Sequence, residues 1–592
     1  MKSLISLKST IHSIAIAVAG ILLAAPLSPG QEAADPPAPE PEDPALEQYF
    51  IANGAYNRKL YPVAIAQYEE FLAKHAAHAK ADLARRGLAL SLYALKQYEK
   101  AMPQLAILLA KKELEASISR ERLVMLQGQC FLLTGKKDEA RALFVAELAQ
   151  LKAVSYQAGA LATICDVSFG KSEWPEALIW SEKLLAAKPS AEQAARACYQ
   201  QGYAQYQLQK VEAAIAVLGK IAGLEAAPLW RTRADYLLGE CYNKQKQYEK
   251  AEAAFVAALP GLEGADSSEC HYRLGLTRFV LKKYKEAAAD LERCLAEVKE
   301  SPRTTEARLY IARSHFELAN YAKAAPALTE LAAGEGDEAA RASLWLARVH
   351  TRMDKNYDEA AETLAKAVAR FKESTVINSL EFDYANALMA RQKPDWQAAL
   401  ALLQSVETRG TFSQMAEVVS QRSVCQHKLG DYANSLVSND AFLAKYPDHP
   451  LAVEARFIRA ENLFLLNRLE EATKGYSVFV AKHKEHTNAL AANFRLAQIH
   501  HDQGRWAECL ASASPMLASK PEGRLFTQLP FIVGDCLFRQ EKWAESIAGL
   551  EAFLAGRVQE EAGKKPQVTA EPNVDTALMQ LAVAHDRLDQ QQ

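Results

Sequence analysis

The sequence predicts an all-α protein, a superhelical α-α solenoid of about fourteen helix-turn-helix units followed by one capping helix. Three observations predict this fold class. The hexapeptide KQYEKA occurs at residues 96–101 and again at residues 246–251, and small residues recur along the chain with a period near 37. The composition also favours helix, because Ala, Leu, Glu, Lys, Gln and Arg are frequent while Gly and Pro number only 26 and 23 in 592 residues.

Residues 1–30 are predicted to be a signal peptide for export. Two lysines form a positive n-region, residues 11–25 form an apolar h-region, and the small residues Ser28 and Gly30 precede the expected cleavage point. The alternative is an uncleaved N-terminal anchor. The apolar stretch is shorter than the roughly 20 residues that span a bilayer, which favours cleavage.

Residues 31–45 are predicted to be a linker. Five prolines and five acidic residues occur in these fifteen positions, and such a composition favours an extended, solvated chain. The helical pattern follows directly, so we expect the solenoid to cover residues 46–592. Within it, residues 556–575 are expected to form a polar loop before the last helix.

The repeat is defined by a small residue, here called the marker. Consecutive markers are 36, 37 or 39 residues apart, and in eleven of fourteen units an aromatic residue lies three positions earlier, as Tyr248 does before Ala251. In thirteen units another small residue lies twelve positions before the marker, including Gly202, Gly239 and Gly275. The markers are Ala64, Ala101, Ala140, Ala177, Ala214, Ala251, Ala287, Ala324, Ala360, Ala399, Ser435, Ala472, Cys509 and Ser546.

This spacing has a physical interpretation. Each unit is two antiparallel helices, and small residues at the point where they cross allow their backbones to approach closely. The aromatic residue is expected to fill the turn between the helices. Because neither helix can bury its apolar side alone, the units must stack into one continuous core.

Residues 236–255, YLLGECYNKQKQYEKAEAAF, resemble a tetratricopeptide repeat. Leu238, Gly239, Tyr242, Ala251 and Phe255 match the large, small and aromatic positions of that family's pattern. The resemblance covers about residues 46–592 and implies a helical repeat that binds proteins or peptides.

Two features depart from the common family pattern. The period is about 37 residues where 34 is usual, and the position seven residues after the marker, usually Ala, is often large, as at Phe71, Phe442 and Phe479. With residues 442–457, FLAKYPDHPLAVEARF, this style is similar to the long-period repeats of cell-envelope proteins such as the outer-membrane assembly factor BamD and the Tol-Pal-associated coordinator YbgF.

The resemblance also implies a binding face. In tetratricopeptide arrays the first helices line the concave side, and their positions 2, 5, 9 and 12 meet ligands. On this chain, the side chains selected for partner binding are Arg196, Tyr199, Tyr203, Tyr206, Tyr236, Tyr272 and Arg313. Tyrosines offer rigid contact area with a hydroxyl that needs a partner, which favours binding. The alternative is that these rings pack between neighbouring first helices.

Histidines and cysteines are the candidates for a metal site. The pairs are His75 with His78, His483 with His486, and His500 with His501. No patterned third ligand accompanies them, which argues against a metal site, and the first two pairs lie near the ends of second helices, where His also serves as a polar capping residue. Six of the nine cysteines fall at fixed positions of the repeat and none forms C-x-x-C, so they are expected to be packing thiols, with pairing left open.

No segment is left over for a catalytic domain, and the chain carries no P-loop, G-x-S-x-G, H-E-x-x-H or G-x-G-x-x-G motif. We therefore expect no enzymatic activity and no cofactor. The remote alternative is a metal-dependent or cell-wall-acting enzyme built on the histidines. A formal net charge of -3, with basic and acidic residues interspersed, excludes the basic field of a nucleic-acid-binding protein.

The expected function is that of an exported, non-catalytic scaffold in the periplasm of a Gram-negative-type envelope. It would bind a peptide or partner protein in the concave groove, with no membrane insertion after signal cleavage. The alternative is a component of outer-membrane assembly, secretion or cell-envelope and division machinery. The partner's identity and the oligomeric state remain open.

Overall fold

The computed structural model describes residues 43–224, 228–298, 302–519, 521–555, 557–559, 567–568 and 571–591. The predicted signal peptide and nearly all of the predicted linker lie outside these residues, so both remain predictions. Within the described ranges no helix is long and apolar enough to cross a membrane. The chain divides into two units, Met1–Asn320 and Tyr321–Gln592.

The described part of the first unit contains fifteen α-helices, seven antiparallel pairs and one further first helix, with odd-numbered first helices and even-numbered second helices. Short 3-10 turns follow α6, α10 and α12, at Leu148–Gln150, Gly219–Gly223 and Leu259–Gly261. The helices are α1 (Pro44–Asn57), α2 (Tyr61–Lys74), α3 (Ala81–Ala94), α4 (Tyr98–Leu109), α5 (Arg120–Leu133), α6 (Lys137–Glu147), α7 (Val154–Gly170), α8 (Trp174–Ala186), α9 (Ala191–Gln207), α10 (Val211–Leu218), α11 (Pro228–Lys244), α12 (Tyr248–Ala258), α13 (Gly264–Val280), α14 (Tyr284–Glu297) and α15 (Thr304–Glu317).

The described part of the second unit continues the series with fourteen α-helices and a 3-10 turn at Arg524–Phe526. Two short antiparallel strands, β1 (Val558–Gln559) and β2 (Gln567–Val568), pair within the region predicted as a polar loop. The helices are α16 (Tyr321–Ala332), α17 (Gly336–Met353), α18 (Tyr357–Arg370), α19 (Ile377–Ala390), α20 (Trp396–Arg409), α21 (Met415–Lys428), α22 (Tyr432–Lys445), α23 (Ala452–Leu465), α24 (Leu469–Lys482), α25 (Ala489–Asp502), α26 (Trp506–Ser519), α27 (Leu529–Arg539), α28 (Trp543–Leu554) and α29 (Val574–Gln591).

The predicted fold class is confirmed, because fourteen second helices each carry one marker and α29 follows as an unpaired last helix. All fourteen markers are 0% exposed. Their partners on the first helices are equally confined: a Cβ atom added to Gly239 would lie 2.5 Å from the ring of Phe255, and one added to Gly202 would lie 2.6 Å from Leu218. A Cβ on Gly275 would lie 2.7 Å from Leu291. Small residues are therefore required at these crossings.

The turn within each pair has a fixed conformation. The residue three positions before the marker is the first residue of the second helix in all fourteen pairs. Two residues earlier the backbone enters the left-handed region, as at Lys96 and Lys246 with φ of 59° and 60°. Pro394 occupies this place before α20, where the proline ring does not permit a positive φ. In several pairs an aromatic ring five residues before the second helix contacts its first residue, as Phe279 does Tyr284, with centroids 5.3 Å apart.

Histidine rings order the connections that lead into three first helices. Nδ1 of His78, His449 and His486 accepts a hydrogen bond from the backbone N–H two residues later, at 3.1, 3.3 and 3.2 Å. Each ring also stands edge-on to the phenylalanine seven residues earlier, with interplanar angles of 86–87°. The next first helix begins three residues after each of these histidines. Two of the predicted histidine pairs are thereby explained, since His75 and His483 contact the same phenylalanines as His78 and His486.

The last helix is held by a buried polar network. Nε2 of His501, on α25, lies 2.8 Å from the carboxylate of Asp535, on α27, and the side-chain amide of Gln580, on α29, donates to the same carboxylate. The hydrogen bond with Asp535 raises the pKa of His501 against the effect of burial. Burial acts to raise the pKa of Asp535, but the hydrogen bonds from His501 and Gln580 outweigh it and hold that pKa below its ordinary value.

Replacing Gly239 with Ala tests the helix crossing. The added methyl group has no room beside Phe255, so we expect a loss of roughly 1 to 3 kcal/mol in the free energy of unfolding. Chemical denaturation followed by circular dichroism measures it. Gly170→Ala is the matched control, because its Cβ would meet nothing within 4 Å. Equal stability of the Gly239 variant and wild type would contradict the crossing.

Replacing His486 with Ala tests the histidine contacts in the connection before α25. The substitution removes the acceptor for the Asn488 N–H and the ring contact with Phe479, and we expect a loss of about 1 kcal/mol. His585→Ala, at an exposed position of α29, should leave the unfolding free energy unchanged. If added zinc stabilised wild type but not the His486 variant, the ring would be a metal ligand instead of a packing and hydrogen-bonding group.

The pH dependence of stability tests the network at α29. Because the pKa of His501 is raised, its contribution is fully present below the unfolded pKa of about 6.5 and is lost as the pH rises through the folded pKa. Because the pKa of Asp535 is lowered, its contribution is present above about pH 3.9 and is lost as the pH falls through the folded pKa.

We therefore expect the stability difference between wild type and His501→Gln to shrink as the pH rises above about 6.5, in denaturant titrations at a series of pH values. Burial lowers the pKa of the neighbouring His500, so the difference between wild type and His500→Gln should instead grow as the pH rises toward about 6.5 and stay level above it. Parallel curves for the two variants would refute the assignment.

Candidate functional site

The predicted binding residues lie on first helices of the first unit, from α9 to α15. Tyr199 and Tyr203 are one turn apart on α9, and their ring centroids lie 6.1 Å apart. Tyr203 contacts Phe169 and Trp174 at 5.2 and 5.4 Å, and Tyr199 contacts Trp230 at 5.6 Å. The five rings form one cluster that joins α7, α8, α9 and α11, here called the aromatic cluster.

Burial corrects the prediction for the tyrosines. Tyr199 and Tyr203 are 5% and 8% exposed, and Tyr236 and Tyr272 are 2% and 1% exposed. Burial raises the pKa of all four hydroxyls. These rings leave little surface for a partner, because the space between consecutive first helices is filled by the large side chains at these positions. Packing, the alternative left open by the sequence, describes them better than contact with a ligand.

Tyr206 differs from the other tyrosines because it stays half-buried. The Nζ atom of Lys244, on α11, lies 4.9 Å from the centroid of its ring, in cation-π range. Burial raises the pKa of Tyr206 to about 12, so its hydroxyl is protonated at neutral pH. Tyr206 and Lys244 thus form a partly accessible pair on two adjacent first helices.

Arg196 is engaged within the protein. Its guanidinium lies 2.5 Å from the carboxylate of Asp166, on α7, and Gln200 donates to the same carboxylate at 2.7 Å. Burial raises the pKa of Asp166, while the charge of Arg196 and the hydrogen bond from Gln200 act to lower it. Arg196 therefore connects two repeats, which makes it a poor ligand contact.

Opposite charges connect the next first helices in the same way. Glu240, on α11, lies 3.5 Å from Arg273, on α13, which also pairs with Glu269 at 3.0 Å. Arg303, just before α15, lies 3.6 Å from Glu269. Glu240 is 8% exposed, and this burial raises the pKa of its carboxyl group. This series was not predicted from the sequence, although opposite charges 33 or 34 residues apart in the sequence indicate it.

Arg313 stacks on aromatic rings. Its guanidinium carbon lies 4.7 Å from the ring centroids of both Phe279, on α13, and Tyr310, on α15. Arg233, half-buried on α11, stands similarly over Trp230 at 5.1 Å. The structure therefore divides the predicted residues into a group around the aromatic cluster, a charged group around Arg273 and a stack around Arg313.

The cysteines contribute no metal site to the described part of the chain. All nine are buried, and none is in a disulfide there. In the same ranges, no group of three or more His, Cys, Asp or Glu side chains is arranged to hold a metal ion. Cys425, for example, has its Sγ 3.4 Å from Sδ of Met389, as in a packing contact.

Family models and solved structures show what the chain is similar to. Models of the tetratricopeptide repeat match residues 195–228, 233–257, 272–337 and 309–375. The TPR domain of P58(IPK) aligns at 18% identity over 61% of this chain and 99% of that chain, with a TM-score of 0.24. The APC/C hetero-tetramer Cut9-Hcn1 aligns at 13% identity over 92% and 96%, with a TM-score of 0.29.

No curated protein sequence matches the chain. Both structural TM-scores are low, so the repeat models and the observed helix pairs carry the conclusion. The segments 195–228, 233–257 and 272–375 of this chain are tetratricopeptide repeats.

Proposed function

We propose that this chain is an exported, non-catalytic scaffold that binds an extended segment or a partner protein along its first helices. The observation that carries the proposal is the series of contacts between consecutive first helices. The pairs Asp166–Arg196 and Glu240–Arg273 each join one repeat to the next. A row of helices fixed in this way is ordered before a partner arrives, which lowers the entropic cost of binding.

The organisation of the described chain supports a role without chemistry. From α1 to α29 the described residues form helix pairs, short connections and one small strand pair. Two of the carboxylates with raised pKa values, Asp166 and Glu240, each face an arginine of the next repeat. Burial in the packed helices raises both pKa values, and an ionised arginine lies beside each carboxylate. These shifts are therefore explained by packing and do not require a reaction.

The contact surface is proposed to centre on Tyr206, Lys244 and Arg233. Tyr206 and Arg233 are half-buried and Lys244 is exposed, so each keeps area for a partner. The Tyr206 ring and the Lys244 ammonium beside it offer apolar area and positive charge together, and Arg233 adds a second cation further along α11. The partner segment that fits this chemistry carries a carboxylate next to an apolar or aromatic side chain.

Export and location belong to the same proposal. The predicted signal peptide and the acidic, proline-rich linker favour an envelope location, and the long-period repeats are similar in style to those of BamD and YbgF. A component of outer-membrane assembly, secretion or cell-envelope and division machinery is the alternative within this class.

A crosslinking pull-down from envelope extracts tests the binding surface. The two baits are the wild-type protein and a double variant, Tyr206→Ala with Lys244→Ala. The control is Tyr242→Ala, Lys250→Ala, which removes a similar cation-π pair, at 5.7 Å, that involves the same helix α11. We expect a partner that both wild type and the control recover, and that the Tyr206 variant recovers at least tenfold less.

Thermal unfolding of all three proteins establishes that each is folded. Equal recovery of the same partners by the Tyr206 variant and by wild type would refute this surface. Recovery of no specific partner by any of the three would refute the scaffold function itself.

A further inference from the structure

The outer side of the first repeat carries an apolar surface, here called the N-terminal patch. Phe50 and Ile51, on α1, are 58% and 53% exposed, and Leu60 and Val63, at the start of α2, are both 50% exposed. The four side chains line one shallow hollow together with Pro44 and Leu46. Large apolar side chains that are exposed side by side commonly mark an interaction surface.

The end of a repeat array explains only half of this patch. Among the described residues no helix precedes α1, which leaves Ile51 exposed, whereas its equivalent in the next repeat, Leu88, is 2% exposed. Leu60 and Val63 are different, because their equivalents Gln97 and Lys100 face solvent within the array. Exposure is thus the normal state of these two positions, and the apolar residues are the exception.

Comparison of all repeats confirms that the exception is specific to the first one. The position of Leu60, four residues before the marker, is polar or charged in each of the thirteen other repeats. The position of Val63 is Lys, Glu, Asn or Ala in those repeats. The residues at the Leu60 position are Gln97, Lys136, Glu173, Lys210, Gln247, Lys283, Asn320, Asn356, Asp395, Asp431, Arg468, Arg505 and Lys542.

Charges border the patch at opposite ends of α1. Glu47 lies in the first turn and Arg58 directly follows the last residue of the helix, and both side chains line the same hollow. Both residues are exposed, and neither side chain has an ion-pair partner among the described residues. Eleven residues of helix place them about 16 Å apart along its axis.

We propose that the N-terminal patch is a two-fold dimer interface with a second copy of this chain. A two-fold axis through the patch sets the two α1 helices antiparallel, so Glu47 of each copy meets Arg58 of the other while the apolar side chains meet between them. An isologous interface requires such a self-complementary surface. Antiparallel helices also place opposite ends of their dipoles side by side.

The proposal stands apart from the proposed binding surface at Tyr206, because the N-terminal patch lies on α1 and α2. A patch formed by one helix pair is small against the roughly 1,200 Å² that specific interfaces bury at the lower limit, so we expect dissociation in the micromolar range. Dimerisation would give one complex two copies of the binding face and increase its avidity for a repeated partner.

Sedimentation velocity of the protein purified from its host, over a micromolar concentration series, tests the proposal. We expect a reversible monomer–dimer equilibrium. The variant Leu60→Gln, Val63→Lys carries the residues of the second repeat and should weaken the dimer at least tenfold without lowering the unfolding temperature. Lys100→Glu, a charge change outside the patch, should leave the equilibrium unchanged.

Two charge reversals distinguish a two-fold dimer from other occupants. Glu47→Arg and Arg58→Glu should each weaken self-association, because each places like charges opposite one another twice. An equimolar mixture of the two variants should form heterodimers, since both contacts are then paired between opposite charges.

The proposal is overturned if wild type is monomeric throughout the series, or if the Leu60, Val63 variant dimerises like wild type. It is also overturned if the mixture gains nothing over the single variants. A monomer in which hydrogen exchange of α1 rises after removal of the residues before Asp43 would assign the patch to the chain's own leader instead.

Discussion

The close approach of the two helices in each pair is the constraint on which the rest of the structure depends. All fourteen markers are fully buried, and at Gly239 and Gly202 even a methyl group would collide with the opposite helix. Close approach lets the large residue four positions after the marker reach across the crossing, as Phe255 does over Gly239. A short helix gains little stability on its own, so the pair and its neighbours must form together.

The spacing set by these crossings determines what the aromatic residues do. Consecutive first helices leave a gap that Tyr199, Tyr203 and Trp230 fill, and the rings contact one another at 5.6 to 6.1 Å. Rings packed in this way stabilise the stack and leave little accessible surface for a ligand. Recognition then depends on side chains at the margin of the first helices, where Tyr206 and Lys244 keep part of their surface.

Buried charge has a related role along the same helices. Desolvation raises the pKa values of Asp166 and Glu240, and in each case an arginine of the following repeat compensates. Pairs of this kind contribute little net stability, because the cost of removing both ions from water offsets their attraction. They do penalise a wrong alignment of neighbouring repeats, which would leave a buried charge unpaired. The histidine rings of the connections also constrain the stack, because their hydrogen bonds fix where the following first helix begins.

The sequence by itself determined the fold class and the number of repeats, because small residues recurring at a 37-residue period are typical of paired, stacked helices. It also indicated that the pairs of His75 and His483 lie at the ends of second helices, where these two residues are the C-caps. Tertiary structure decided which aromatic residues are accessible, since position within a repeat does not reveal what the neighbouring repeat places opposite. Tyr199 and Tyr206 share one helix face, yet a tryptophan from the next repeat covers the first and a lysine leaves the second half-exposed. Long-range contacts of this kind depend on how consecutive repeats pack, which a periodic pattern does not specify.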